Sequence, residues 1–148
     1  MAGKTTVGVV VVTHGQLATE LLNAAEMIVG DLPGYYAVSI GWHDDVTVAH
    51  AAIAAAIAKV DAGAGVLVLT DMFGGTPSNL GMAFLEAGRV EVVTGVNLAM
   101  LIQLAKASDE QDLLTRARRL CEHGRGAIRV ASDLLRADHS EPEPRAET

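Results

Sequence analysis

Aromatic residues are scarce in this 148-residue chain. One Trp, two Tyr and two Phe make up 3% of it, although half of all residues are apolar. The interior must therefore be filled with Ala, Val, Leu and Ile on strands and helices, and so much apolar surface excludes a chain disordered throughout. A single cysteine, Cys121, allows neither an internal disulfide nor a cysteine-based zinc site. That usage fits a reducing compartment, and the cytoplasm is the expected location. Long hydrophobic runs are also missing: the stretches 7–12 and 51–58 fall well short of the roughly 20 residues that cross a bilayer. The first of them leads into a Thr-His-Gly turn with no small-residue cleavage site, so it is expected to be a strand and not a leader.

Basic residues are outnumbered, 11 against 18 acidic, for a net charge of -7. This argues against nucleic acid, whose phosphates call for a basic patch, and suits a basic protein partner instead. Part of the charge is local. Residues 138–148 hold Asp138, Glu141, Glu143 and Glu147 against Arg145, with Pro142, Pro144 and no large apolar side chain. A disordered acidic tail over 138–148 is expected behind a single domain over 1–137.

Strand and helix signals alternate along the chain. Residues 7–12 form a β-branched run of the kind buried on both faces of a parallel sheet. Leu17, Leu21, Leu22, Ala25 and Ile28 recur at helical spacing before Gly30 and Pro33. A strand over 35–40, a loop over 41–45 and a helix over 46–60, capped by Asp44 or Asp45, follow. The apolar stripe of that helix is read as Val46, His50, Ile53, Ile57 and Val60. Residues 65–70 are a third strand. Thr76 is expected to cap a helix to about residue 87, with Pro77 at its first position. Strand 89–94 and helix 98–107 come next. Ser108 and Gln111 match a capping box for a helix reaching Glu122, which Gly124 and Gly126 are expected to break. Residues 127–131 read as a weak fifth strand and 132–136 as a helical turn. The alternation implies an α/β parallel sheet with right-handed crossovers and helices on both faces.

In such sheets ligands bind beyond the carboxyl ends of the strands. Three loops carry polar chemistry there: 13–16, 42–45 and 71–79. His14 comes directly after the first strand, and an imidazole is largely neutral, hence nucleophilic, around neutral pH. It either accepts a phosphoryl group or merely bonds the turn. Asp71 comes directly after the third strand; if the two strands are neighbours, its carboxylate faces His14 and fixes the tautomer, as in catalytic triads. Gly74 and Gly75 let backbone approach a ligand, and the Thr76 hydroxyl with the amides around Thr76 and Ser78 suits phosphate oxygens. His43 joins His14 and Asp71 in a less favoured metal reading that lacks short ligand spacing. His50, His123 and His139 read as structural or solvent-facing. No G-x-x-x-x-G-K-[ST], G-x-G-x-x-G or G-x-S-x-G motif is present.

Val11-Val12-Thr13-His14-Gly15 resembles the phosphorylated-histidine motif of the IIA component of the mannose-type sugar phosphotransferase system (PTS). Residues 70–79, TDMFGGTPSN, resemble that family's D-x-x-G-G-[ST]-P-x-N loop, and 94–101, TGVNLAML, a third signature segment. The likeness runs from about residue 4 to 135. It implies a phosphohistidine carrier that takes a phosphoryl group from the phosphorylated histidine phosphocarrier protein and passes it to a IIB component. His14 then matches the nucleophile and Asp71 its orienter, while Gly15, Gly74, Gly75, Thr76 and Asn79 match the lining of the phosphoryl site. No cofactor or metal is implied. The family fold is a four-stranded parallel sheet, expected here in the order 2-1-3-4, with a fifth antiparallel strand exchanged in a homodimer; 127–131 is the candidate. Met72, Phe73 and Met100 are candidates for a docking surface, with ordinary core packing the equal alternative for Met100. The module is expected to stand alone, to associate with a membrane permease without inserting, and to serve sugar uptake or its regulation. A regulatory binding module controlled by His14 phosphorylation and the phosphotransfer subunit of dihydroxyacetone kinase are the alternative readings.

Overall fold

The computed structural model describes residues 6–107 and 111–139. Four strands, β1 (Gly8–His14), β2 (Tyr35–Ile40), β3 (Val66–Thr70) and β4 (Val90–Thr94), form one parallel sheet in the order β2-β1-β3-β4. The β-branched run of β1 explains its central place. Val9 and Val11 point into one core and Val10 and Val12 into the other, all of them buried. The alternation of side chains along a strand thus feeds two layers at once.

On the first face lie α1 (Leu17–Val29), α4 (Leu98–Lys106) and α5 (Leu113–Gly126), which contribute Leu22, Leu101 and Leu120. The second face carries α2 (Val46–Val60), with Ile53 and Val60 in the core, and the short α3 (Thr76–Met82). A last helix, α6, spans Ala131–His139. No helix among the described residues is long and apolar enough to cross a membrane.

Several elements depart from the expected pattern. The buried stripe of α2 is Ala49, Ile53, Ala56 and Val60, whereas Val46 and His50 are exposed. His50 stacks on Phe84 at 4.5 Å, a surface contact that needs no ionised partner. α3 starts one residue earlier than expected, with Gly75 as its N-cap, and stops at Met82. Beyond it the amides of Ala83, Phe84 and Leu85 bond carbonyls only three residues back, and Glu86 bridges to Val90. Phe84 is thereby packed against the second core.

α5 opens at Leu113, where Asp112 accepts bonds from the Thr115 amide (2.9 Å) and hydroxyl (2.8 Å). Ser108, the first residue of the expected capping box, lies outside the described residues. α5 also runs through Gly124 instead of breaking there, because that glycine is a packing site. A Cβ on Gly124 would stand 2.6 Å from Met100 Sδ, and the Gly124 carbonyl accepts a 3.1 Å bond from Asn97 Nδ2. Gly124→Ala is expected to lower stability by about 1 kcal/mol, since overpacking costs about 1–3 kcal/mol and the better helix former returns up to about 1 kcal/mol. Urea unfolding checks this; a raised midpoint would show that Met100 turns aside freely.

Residues 128–130 join no strand in the single chain, and Ile128 and Val130 are exposed. The sheet of the described residues therefore has four strands, and an exchanged fifth requires a second copy. Of the expected tail, Asp138 and His139 close α6, and 140–148 lie outside the described residues.

Candidate functional site

Strand pairing carries β1 two residues further than its apolar run suggests. Thr13 and His14 stay in register with Ser39 and Ile40, so His14 is the last residue of the strand and not the first of the loop. The chain then turns at Gly15, whose φ of +53° suits glycine and whose amide donates to the Ile40 carbonyl at 2.9 Å. Thr13 is buried, and its Oγ1 accepts from the Ala18 amide at 2.7 Å, tying the end of β1 to the first turn of α1. Sequence inspection passed over this role. The signal for it was a Thr five residues ahead of an amide in a helix whose own cap, Gln16, supplies no side-chain bond.

β1 and β3 are neighbours, and this brings Asp71 to His14. Asp71 Oδ2 lies 2.6 Å from His14 Nδ1 and accepts the His14 amide at 3.0 Å, while Oδ1 accepts the Met72 amide at 2.9 Å. The His14 side chain is 53% exposed and that of Asp71 only 13%. Burial is the strongest single influence on Asp71 and pushes its carboxyl up. The His14 amide and imidazole and the Met72 amide together outweigh it and hold the pKa below the ordinary value. An ionised Asp71 can only accept, so Nδ1 carries the proton and Nε2 keeps its lone pair.

Because the folded pKa is the lower one, Asp71 contributes stability that is complete above the ordinary carboxylate range. That contribution disappears as the pH falls through the depressed folded value. Asp71→Asn is expected to flatten this part of the acid-unfolding curve; superimposable wild-type and variant curves would contradict it.

The loop after β3 closes over the imidazole. Gly74 turns it with φ +87°, and Ser78 Oγ accepts the Gly74 amide at 3.0 Å and donates to the Gly75 carbonyl at 3.3 Å. Ser78 is fully buried, so it clamps the loop and does not face a ligand. A Cβ on Gly75 would lie 2.9 Å from His14 Cε1 and 3.4 Å from Nε2. Gly75→Ala is accordingly expected to displace the ring with the fold intact, read as a change in the His14 ring resonances by NMR. Unchanged His14 resonances in the variant would show that the ring has room to move.

His14 opens onto a groove of about 670 Å³ lined by Gly15, Ile40, Gly41, Trp42, Asp44, Val46 and Thr76. Asn79 sits one turn into α3, exposed, its amide bonded to the Gly75 carbonyl at 3.0 Å. His43 is exposed in the loop after β2, and no group of three or more His, Cys, Asp or Glu among the described residues is placed to hold a metal. Met72 and Phe73 are exposed; Met100 is 2% exposed and belongs to the core, not to a docking surface.

The chain is similar in sequence and fold to known proteins. The family described as "PTS system fructose IIA component" matches residues 8–118. The chain is 35% identical over 111 residues to the "PTS system mannose-specific EIIAB component" of Escherichia coli (strain K12), covering 71% of this chain and 33% of that protein. It thus spans about a third of that curated relative's length. It is 26% identical over 133 residues to the "PTS system fructose-specific EIIA component" of Bacillus subtilis (strain 168), covering 87% and 89%. The solved mannose/sorbose specific IIA subunit of the phosphotransferase system from Enterococcus faecalis superimposes with a TM-score of 0.75 at 33% identity, covering 84% of this chain and 94% of that one. The match across 8–118, most of its length, makes this chain a member of the PTS system fructose IIA component family.

Proposed function

We propose that the protein is a phosphohistidine carrier with His14 Nε2 as the phosphoryl acceptor. The observation that carries this reading is the 2.6 Å contact between Nδ1 and Asp71, which commits one ring nitrogen to a carboxylate and leaves the other free on a half-exposed ring that lines the groove. Phosphoryl transfer asks mainly for an aligned nucleophile and for stabilisation of charge. The Nε2 lone pair forms the new N–P bond as the bond from phosphorus to the donor's imidazole nitrogen breaks, and that electron pair stays on the donor. Asp71 balances the positive charge that develops on the His14 ring and holds the ring in line. Gly15, Gly74, Gly75, Thr76 and Asn79 border the transferred group.

The donor is the phosphorylated histidine phosphocarrier protein and the acceptor a IIB component, in sugar uptake or its regulation. The names of the relatives support this reading, as does the shared family. The protein works as a homodimer in which 127–131 of each copy supplies an antiparallel strand to the other. The exposure of Ile128 and Val130 at alternate positions supports that arrangement. The test is intact mass after incubation with phosphoenolpyruvate, the general phosphotransferase enzyme and the phosphocarrier protein. One acid-labile phosphate per chain is expected. No uptake, with a control carrier phosphorylated in the same mixture, would refute the carrier reading.

A further inference from the structure

The chain's only tryptophan is 99% exposed. Leaving so large an apolar ring in water is unfavourable for a free protein, and Trp is the residue type most enriched at binding hot spots. Trp42 is also held in place. Asp44 accepts the Gly41 amide at 2.5 Å, the Asp44 amide returns a 3.3 Å bond to the Gly41 carbonyl, and Asp45 caps α2 by accepting the Thr47 amide at 2.7 Å. A side chain presented from so short and closed a turn loses little backbone freedom on binding.

Strand order places this turn opposite the Asp71 loop. β2 and β3 flank β1, so Trp42 and Val46 (60% exposed) stand on one side of His14, and Met72 (56%) and Phe73 (71%) on the other. The loops that form the apolar collar around the imidazole carry one sign of charge, and Arg125, brought to this edge by the Asn97–Gly124 bond, is paired with Glu122. The segments 13–20, 40–48, 70–79 and 94–100, which leave the carboxyl ends of the four strands, contain no Lys or Arg and carry Glu20, Asp44, Asp45 and Asp71.

We infer that Trp42 is the docking anchor for the phosphoryl donor, a protein whose own phosphorylated residue is surrounded by basic side chains and an apolar pocket. Charge selects this occupant. A second copy would bring the same acidic face, an anionic lipid surface would be repelled, and residues 140–148 of this chain add Glu141, Glu143 and Glu147 against the one basic Arg145. The inference rests on the carrier function proposed above, which supplies the donor.

The experiment measures transfer from the phosphorylated histidine phosphocarrier protein to wild type and Trp42→Ala, with phosphoramidate as a small donor that needs no docking surface. For Trp42→Ala the KM for the protein donor is expected to rise about 10- to 30-fold, as for loss of a hot-spot Trp. Because Trp42 also lines the groove at His14, the reading is the difference between donors: the loss with the protein donor is expected to exceed any loss with phosphoramidate, and an equal loss with both overturns the inference. For wild type the same KM rises with salt, as screening of opposite charges requires. A wild-type KM in Trp42→Ala, with wild-type labelling normal, overturns the inference alone. Failure of both donors to label wild-type His14 overturns the carrier function and the inference with it.

Discussion

His14→Ala is expected to leave a folded protein that takes up no phosphoryl group, with transfer from the phosphocarrier falling to background. The side chain is half exposed, so its removal opens no core cavity, and the strand that carries it is fixed by register with β2 on one side and β3 on the other. Removing a nucleophile eliminates the covalent step itself and not one contribution to its rate. Four other histidines, His43, His50, His123 and His139, remain in the variant. Among the described side chains, none of His43, His50 and His123 is paired with a carboxylate in a groove as His14 is. Residual phosphorylation of His14→Ala at more than background would move the site to one of them.

Asp71→Asn is expected to slow phosphorylation about 100-fold or more, in the range that a positioned acid–base partner supplies. The reason is a count of acceptors. The carboxylate receives the His14 amide and ring proton on one oxygen and the Met72 amide on the other. An asparagine has one oxygen and one NH2. If the oxygen stays on His14, the NH2 meets the Met72 amide donor; if the side chain flips, it meets the His14 amide and forces Nδ1 to become the acceptor. That second arrangement places the proton on Nε2 and blocks the nucleophile. The charge that balances a phosphorylated imidazole is lost in both. Quench-flow transfer kinetics alongside circular dichroism separate this from unfolding. Wild-type rates in Asp71→Asn would reduce Asp71 to a turn residue.

Much of this architecture could be read from residue patterns, and the exceptions share a cause. The boundaries of β2 and α2 follow directly from β-branched alternation and from the Asp45 cap, because local chemistry alone sets them. His14 and Asp71 were legible as a pair because each stands at the end of a β-branched run, and a central strand with a parallel neighbour brings such ends together. What escaped was decided by tertiary contact. Gly124 reads as a helix breaker until Met100 is seen against it. α3 looks long until the turn at Phe84 is seen to seat that ring against the core and His50. His50 itself follows a helical period, but the buried stripe of α2 is set one residue away, where alanines allow close approach to the sheet. Met100, open in the sequence to a docking or a core reading, is core.

Within the site, the buried hydroxyls were the least legible. Thr13 and Ser78 resemble phosphate-binding residues by type and position, yet each spends its hydroxyl on backbone: Thr13 on the Ala18 amide, Ser78 on Gly74 and Gly75. Both stabilise the loops that flank the imidazole. The side chains left facing the groove are few, and none is a cation. The contacts hold one ring nitrogen still, and the proposed carrier function leaves the rest of the surroundings to a partner.

The most direct measurement is a proton–nitrogen NMR correlation of 15N-histidine-labelled protein, recorded before and after phosphorylation by the phosphocarrier. The account predicts a single histidine changed, His14, with phosphorus on Nε2 and a proton retained on Nδ1 in its bond to Asp71. Phosphorus on Nδ1, or on any other histidine, would contradict it.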